Sequence, residues 1–379
     1  RQTIDDDDVA AVVAVLRSPF LTRGPAVDEF EEALSAYTGA KHAVAVSSAT
    51  AALHLAVAAL EPAPGATGLT APITFVASSN AFIYSGLVPG FVDVEEASHN
   101  MDPTALREGL TQDTAAVIPV HFAGQPPAMN EIRDICSEHN VPVIEDAAHA
   151  IGGRYADGSR VGSCSHSDMT VFSFHPVKTM TTGEGGAITT NDTALFKKLK
   201  ALRSHGITKN PEELSQTPGP WYYEMQQLGF NYRMTDIQAA LGTSQLSKLD
   251  CFVQRRREIV ATYNEAFGGV AWIRTPTERD GVYSAFHLYV IQTDFSAIGM
   301  SRAEAMAQLK DHGIGTQVHY IPVHMQPYYR NRYGFREGDF PVAETFYQSA
   351  LTLPLFPALT RGEQDRVIET VIQLGEHIA

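Results

Sequence analysis

The stretch Ser173-Phe174-His175-Pro176-Val177-Lys178-Thr179-Met180-Thr181-Thr182-Gly183-Glu184-Gly185-Gly186 sets one lysine among apolar and hydroxyl residues. A lysine on a loop is ordinarily a surface residue. Here its neighbours offer a second reading. A lysine that loses solvation has a lowered pKa, and its free amine becomes a nucleophile. Upstream, Met169-Thr170-Val171-Phe172 is an apolar run that reads as a buried strand, closed by Ser173. A hydroxyl at a strand end is a natural phosphate ligand. Downstream, the glycines permit a tight turn, and Gly186 to Thr190 reads as a strand leading away.

Working towards the N-terminus, strands alternate with helices from His42 to Thr190, which predicts a parallel sheet of the α/β class. His42 to Ser47 reads as a strand and Ser48 to Leu60 as a helix. A strand feeding a helix through small hydroxyl residues offers free amides to an anion, though Ser47 or Ser48 also suits plain N-capping. Leu87 to Val94 and Ala115 to Val120 read as strands, and Pro127 to Glu138 as a helix. Val141-Pro-Val-Ile144 is a buried strand ending in Glu145 and Asp146. Adjacent side chains on a strand point to opposite faces, so only one of these carboxylates can face a site. Ligands of open α/β sheets bind at that end of the strands; a turn or a helix cap is the other use of such an acid. Phe75 is core or contact on its residues alone. Gly183-Glu-Gly-Gly186 precedes a strand, whereas a dinucleotide fingerprint follows one, so a nicotinamide oxidoreductase is disfavoured.

At the chain start, residues 5–16 read as a helix with a solvated acidic first turn, Asp5 to Asp8. Phe20 to Pro25 is a turn and Ala26 to Tyr37 a second helix. Beyond the lysine stretch, Asn191 to Ser204 is a helix and residues 206–230 are a long connection, of the length that is functional or mobile. A helix starts at Thr235 or Asp236 and runs past Leu249. Asn231 and Arg233 stand just before it, where capping and solvation are their ordinary uses. From about residue 250 the pattern becomes α+β: a long helix Asp250 to Phe267, a strand Phe286 to Gln292, a helix Arg302 to His312, a strand Gly315 to Tyr320 and a last helix Arg361 to Leu374. We therefore divide the chain into residues 1–250 and 251–379. His319 and His324 have no further ligands at zinc-like spacing, so no metal site is expected.

The length of 379 residues allows one large unit and a smaller one. The net charge of −15 argues against a general nucleic-acid binder, which shows a basic face. Cys136, Cys164 and Cys251 are widely spaced, which fits neither a disulfide framework nor a zinc cluster and suggests the cytoplasm. No signal peptide and no membrane-spanning run is read in the chain.

Ser-Phe-His-x-x-Lys followed by Thr-Thr-Gly-Glu-Gly-Gly resembles the signature of the sugar-nucleotide aminotransferases, fold-type-I enzymes that use pyridoxal phosphate. The likeness is nearest to the pseudaminic acid branch and runs from Phe20 to about Tyr329. It implies a large domain with a mostly parallel seven-stranded sheet and a small C-terminal α+β domain. It implies that Lys178 carries the cofactor as a Schiff base and shuttles the proton, and that Asp146 holds the protonated ring nitrogen. By the same likeness Phe75 stacks on the ring and His149 contacts its hydroxyl. Ala49, Thr50, Ser173 and Asn231 hold the phosphate, with Asn231 donated by the other subunit of a homodimer. Arg233, His319 and Tyr320 contact the nucleotide sugar. The implied reaction moves an amino group from L-glutamate, through the pyridoxamine form, to C4 of a UDP-linked 4-keto-6-deoxy-N-acetylhexosamine. A perosamine-type GDP sugar, a 3-keto sugar and a cofactor-binding regulator without turnover stay open. A dehydratase on the same fold is disfavoured, because its sugar-modifying members replace the lysine with histidine.

Overall fold

The computed structural model describes residues 2–375. Helix α1 (Asp6–Leu16) is capped by Asp5, whose carboxylate accepts from the N–H groups of Asp7 and Asp8. The acidic turn is only partly solvated, which corrects the sequence expectation. Asp8 is 1% exposed and accepts from Ser244 Oγ and Gln245 Nε2, both at 2.7 Å. The Lys248 ammonium lies 3.0 Å from it. A carboxylate so well supplied with donors can leave water, and it ties α1 to the helix that carries those residues.

Helix α2 (Pro25–Thr38) starts on proline and ends at Gly39. There follow β1 (His42–Val46), α3 (Ala49–Ala59), β2 (Thr67–Thr70), α4 (Ala77–Tyr84), β3 (Val88–Phe91), α5 (Pro103–Gly109), β4 (Thr114–Ile118), α6 (Met129–Glu138), β5 (Ile144–Asp146), β6 (Met169–Ser173) and β7 (Gly186–Thr190). Strands β3-β2-β4 form one ladder and β5-β6-β7-β1 another. Parallel bridges Val117 to Val143 and Val120 to Asp146 join the two, giving the expected seven strands. Of these, β7 runs against its neighbours β6 and β1, while the β2–β3, β2–β4 and β5–β6 pairings are parallel. Helices cover both faces, so β6 is buried at every residue. That is why it reads as a continuous apolar run rather than an alternating one.

After α7 (Thr193–Arg203) the long connection forms a small antiparallel pair, β8 (Ile207–Thr208) with β9 (Glu224–Met225). Its apolar side chains stand in the open: Trp221 is 69% exposed and Leu228 76%. Helix α8 (Asp236–Ser247) does not run past Leu249 as expected. It ends at Lys248, and α9 (Leu249–Phe267) begins there. The Lys248 side chain is drawn to Asp5 and Asp8, and its N–H turns to the carbonyls of Gln245 and Leu246.

The C-terminal part contains β10 (Ile273–Arg274), β11 (Tyr289–Thr293), α10 (Arg302–Asp311), α11 (Pro327–Tyr333), α12 (Pro341–Ser349), β12 (Ala350–Leu353) and α13 (Arg361–Gln373). Its strands pair antiparallel in the order β10-β11-β12 around a separate apolar cluster. Two expectations change here. The strand expected from Phe286 starts only at Tyr289, since Phe286 has φ +42° and its carbonyl is taken by Arg256. The strand expected over Gly315 to Tyr320 is reduced to a bridge between Gln317 and Thr352, because β12 already flanks β11.

Candidate active site

The C-terminal end of β5 sorts the two carboxylates. Glu145 points into the core, where it accepts from Tyr155 (2.6 Å), Ser167 (2.5 Å) and Thr170 (3.0 Å) and pairs with His121 at 2.7 Å. Burial pushes its carboxyl up, but His121 and the hydroxyls outweigh that and hold it below the ordinary value. Asp146 faces the other way. Ser78 Oγ donates to its Oδ2 at 2.6 Å and the Ala148 N–H to its Oδ1 at 3.1 Å.

Lys178 lies in the turn after β6, its N–H bonded to the His175 carbonyl at 2.9 Å. Its side chain is half-buried. Desolvation lowers its pKa to about 8, against a smaller opposing pull from the Asp146 carboxylate. The free amine is therefore reached at lower pH than for an ordinary lysine. The turn closes through Gly183, at φ +81°.

Around Lys178 gather His149, His287 and His319, each with a lowered pKa, first by burial and then in part by the lysine's charge. His319 falls to about 4, and its Nδ1 pairs with Thr352 Oγ1 at 2.9 Å. His149 Nε2 and the Tyr320 hydroxyl share a 3.1 Å hydrogen bond. Phe75 stands 6.4 Å from the Tyr320 ring between centroids, with 58% of its surface open.

Ala49 and Thr50 open α3 just beyond Ser48, whose hydroxyl accepts from the Ala51 N–H. The first-turn amides of Ala49 and Thr50 face outward from the helix start. Ser173 pairs with Gly186 across the ladder, and a Cβ on Gly186 would come within 2.6 Å of the Ala49 nitrogen. Ser173 and the α3 amides are thus brought side by side by a contact that only glycine permits.

Asn231 and Arg233 lie on a segment that runs beside the end of β1, where the Ser47 N–H donates to the Tyr232 carbonyl at 2.8 Å. Asn231 is exposed and its backbone bridges to Ser204. Arg233 bridges to Val46 and lines a hollow with Arg23 and Arg203. No contact among the described residues joins either to Lys178.

Some residues of the site were not legible in the sequence. Ser78 lies within the Thr74 to Asn80 stretch, where only Phe75 draws notice; its pairing with Thr74 at the start of α4 is the signal that was there. Arg256 sits in the run Arg255-Arg256-Arg257, which reads as solvated, yet it is 2% exposed. His287 carries no signal at all.

The arrangement fits a flat aromatic cofactor with an anionic arm. It has an uncovered aromatic face at Phe75, a buried His149 Nδ1 with no partner among the described residues, an ionisable acid, and amides at a helix start. A model of the DegT/DnrJ/EryC1/StrS aminotransferase family matches residues 2–372. The chain belongs to this family. It is 42% identical over 97% of its length to the spore coat polysaccharide biosynthesis protein SpsC of Bacillus subtilis, covering 94% of that protein. It is 38% identical over its whole length to the UDP-4-amino-4,6-dideoxy-N-acetyl-beta-L-altrosamine transaminase of Campylobacter jejuni, covering 97% of it. Among solved structures, PseC of Helicobacter pylori, an aminotransferase of pseudaminic acid biosynthesis, superimposes with a TM-score of 0.91 at 32% identity. That match covers 100% of this chain and 98% of PseC. A sugar aminotransferase of Streptococcus pneumoniae, in pyridoxal and pyridoxamine phosphate forms, has TM-scores of 0.90 and 0.91 at 32% identity, covering 100% of this chain and 98% of that one. The chain is a fold-type-I sugar aminotransferase that uses pyridoxal phosphate, and its substrates are small molecules. No helix among the described residues is long and apolar enough to cross a membrane.

Proposed function

We propose that this aminotransferase moves an amino group from L-glutamate to C4 of a UDP-linked 4-keto-6-deoxy-N-acetylhexosamine of the pseudaminic acid type. The observation that carries the reaction is Lys178, an amine lowered to about 8 and coupled to the Asp146 carboxylate. The sugar is supported by the names of the Campylobacter and Helicobacter relatives.

Pyridoxal phosphate, when bound, supplies an electron sink that stabilises negative charge at the reacting carbon. Lys178 Nζ would hold the cofactor in the resting enzyme and, once released, would move the proton from Cα of the donor to C4′ of the cofactor and, in the second half-reaction, from C4′ to C4 of the acceptor sugar. Asp146 would hold the proton on the ring nitrogen, its carboxylate oriented by Ser78 and the Ala148 amide. Phe75 covers one face of the ring and His149 meets its hydroxyl. Ser173 and the amides of Ala49 and Thr50 hold the phosphate, joined by Asn231 from a second copy in a homodimer. Arg233, His319 and Tyr320 orient the nucleotide sugar. The division near residue 250 into a cofactor-holding part and a smaller part belongs to the same reading. So does a cytoplasmic location, which the free thiols of Cys136, Cys164 and Cys251 suit.

The test is a half-reaction screen. The pyridoxamine form, made with glutamate, is offered keto sugar nucleotides and the return of the pyridoxal absorbance is followed. The UDP-linked 4-keto-6-deoxy-N-acetylhexosamine is expected to restore it. Failure of that sugar together with success of a GDP-linked 4-keto sugar would establish the perosamine-type reaction instead.

A further inference from the structure

Behind the lysine turn lies a small cavity that the reaction does not use. Its walls include Thr3, Lys178, Thr179, Thr181, Gln245 and Arg256, and its volume is about 10 Å³. Three of these residues carry a buried polar atom without a partner among the described residues: Thr3 Oγ1, Thr179 Oγ1 and Arg256 Nε. Thr179 is 5% exposed and Arg256 2%. Buried polar atoms are rarely left unpaired, and three on the walls of one hollow call for a common partner.

The neighbouring polar groups already have partners. The Thr181 hydroxyl already donates to the Phe174 carbonyl at 3.0 Å. The Gln245 amide is committed: its Nε2 donates to the Thr3 carbonyl at 2.9 Å and to Asp8 at 2.7 Å, and its Oε1 accepts from the Thr181 N–H at 3.4 Å. Arg256 makes no ion pair among the described residues. Its Nη1 donates to the carbonyls of Phe286, His287 and Leu355 at 3.0–3.4 Å, which leaves Nε over.

We propose that this cavity is a site for one ordered water molecule, held by Arg256 Nε, Thr179 Oγ1 and Thr3 Oγ1, which makes Thr3 and Thr179 positioning residues for Lys178. A cavity of about 10–15 Å³ is what one water requires, with two to four polar partners. The water oxygen accepts from the guanidinium and bonds the two hydroxyls. It pins the chain at Thr179, the residue after Lys178, to the N-terminal segment and to α9. Gln245 makes the parallel link beside it. The Lys178 side chain then starts from a fixed backbone and reaches the reacting carbon in one geometry, which matters because small misplacements slow such steps strongly.

The proposal rests on Lys178 as the cofactor-bearing residue for its catalytic consequence, but not for the water itself. A crystal structure of the holoenzyme at a resolution that shows ordered water is expected to contain one peak within hydrogen-bond distance of all three atoms. Pairing of these atoms with one another, an empty hollow, or a peak with the anomalous signal of chloride would overturn it. The second arm uses Thr179→Val, Thr3→Val and the double variant as holoenzymes. The groups facing Lys178, namely Asp146 on β5, His149, His287, His319 and Arg256, are unchanged in all three. Each single variant is expected to lower kcat about tenfold at unchanged KM and to shift the pH titration of the visible cofactor band. Thr179→Ser is expected to restore both. Because one water serves both hydroxyls, the double variant is expected to match the worse single variant. Additive losses, or wild-type kcat and titration in Thr179→Val, would overturn the positioning role of the two threonines. Density decides the water whatever group Lys178 bears, so its failure is distinct from failure of the aminotransferase reading.

Discussion

Ser78 Oγ donates a 2.6 Å hydrogen bond to Asp146 Oδ2, joining the start of α4 to the end of β5. Both side chains are buried, at 0% and 6% exposure. A carboxylate held by donors in a dry site is a fixed negative charge, and fixed charges are what such chemistry uses. Asp146→Asn keeps the shape and removes the charge. It is expected to fold and to lose about a thousandfold in kcat, and Ser78→Ala to lose less. Circular dichroism and steady-state rates check this. Near wild-type turnover by folded Asp146→Asn would remove the ring-nitrogen role.

Lys178 makes a prediction about attachment. Its amine is lowered to about 8 from an ordinary value of 10.5. Attachment of pyridoxal phosphate to the apoprotein needs the neutral amine, so its rate is expected to rise with pH and level off above about 8. The same shift raises stability with pH between these two values, because there the unfolded chain binds a proton that the folded chain does not. Borohydride reduction followed by peptide mapping is expected to find the cofactor on Lys178. A label on another lysine would sink the assignment. Lys178→Ala is expected to bind the cofactor without turnover.

Glu145 is predicted to matter for folding instead of chemistry. Glu145→Ala strips His121, Tyr155, Ser167 and Thr170 of a shared buried acceptor. The expected loss is about 3–5 kcal/mol, read from denaturant unfolding. A loss below about 1 kcal/mol would show that the network relaxes around the gap.

Asn231 predicts the assembly. It is exposed, and no hydrogen bond or ion pair among the described residues joins it to Lys178, so we expect it to act in a neighbouring copy. Lys178→Ala and Asn231→Ala proteins, mixed under conditions that exchange subunits, then form dimers with one intact site. Activity is expected to recover toward about half of wild type per mixed dimer. Verified exchange without recovery means that Asn231 serves its own site.

Much of the fold was legible because its signals are local. Strand β6 is buried throughout, the glycines mark the turn after Lys178, and Pro25 and Gly39 bracket α2. Where expectations failed, a distant partner had intervened. Asp8 turned inward because Ser244, Gln245 and Lys248 reach it, and α8 broke at Lys248 for the same reason.

By itself the sequence determined the class of sheet, the lysine turn and the chemistry its residue types allow, since these follow from periodicity and from neighbours a few positions away. It also determined that no more than one of Glu145 and Asp146 could face a site, because strand side chains alternate. Only the tertiary structure decided which one. Ser78 lies 68 residues from Asp146, and His121 and Tyr155 reach Glu145 from separate segments. The burial of Arg256 and the closeness of Gly186 to Ala49 were decided in the same way. Desolvation and hydrogen-bond partners come from chain brought together across the fold, and no window of sequence contains them.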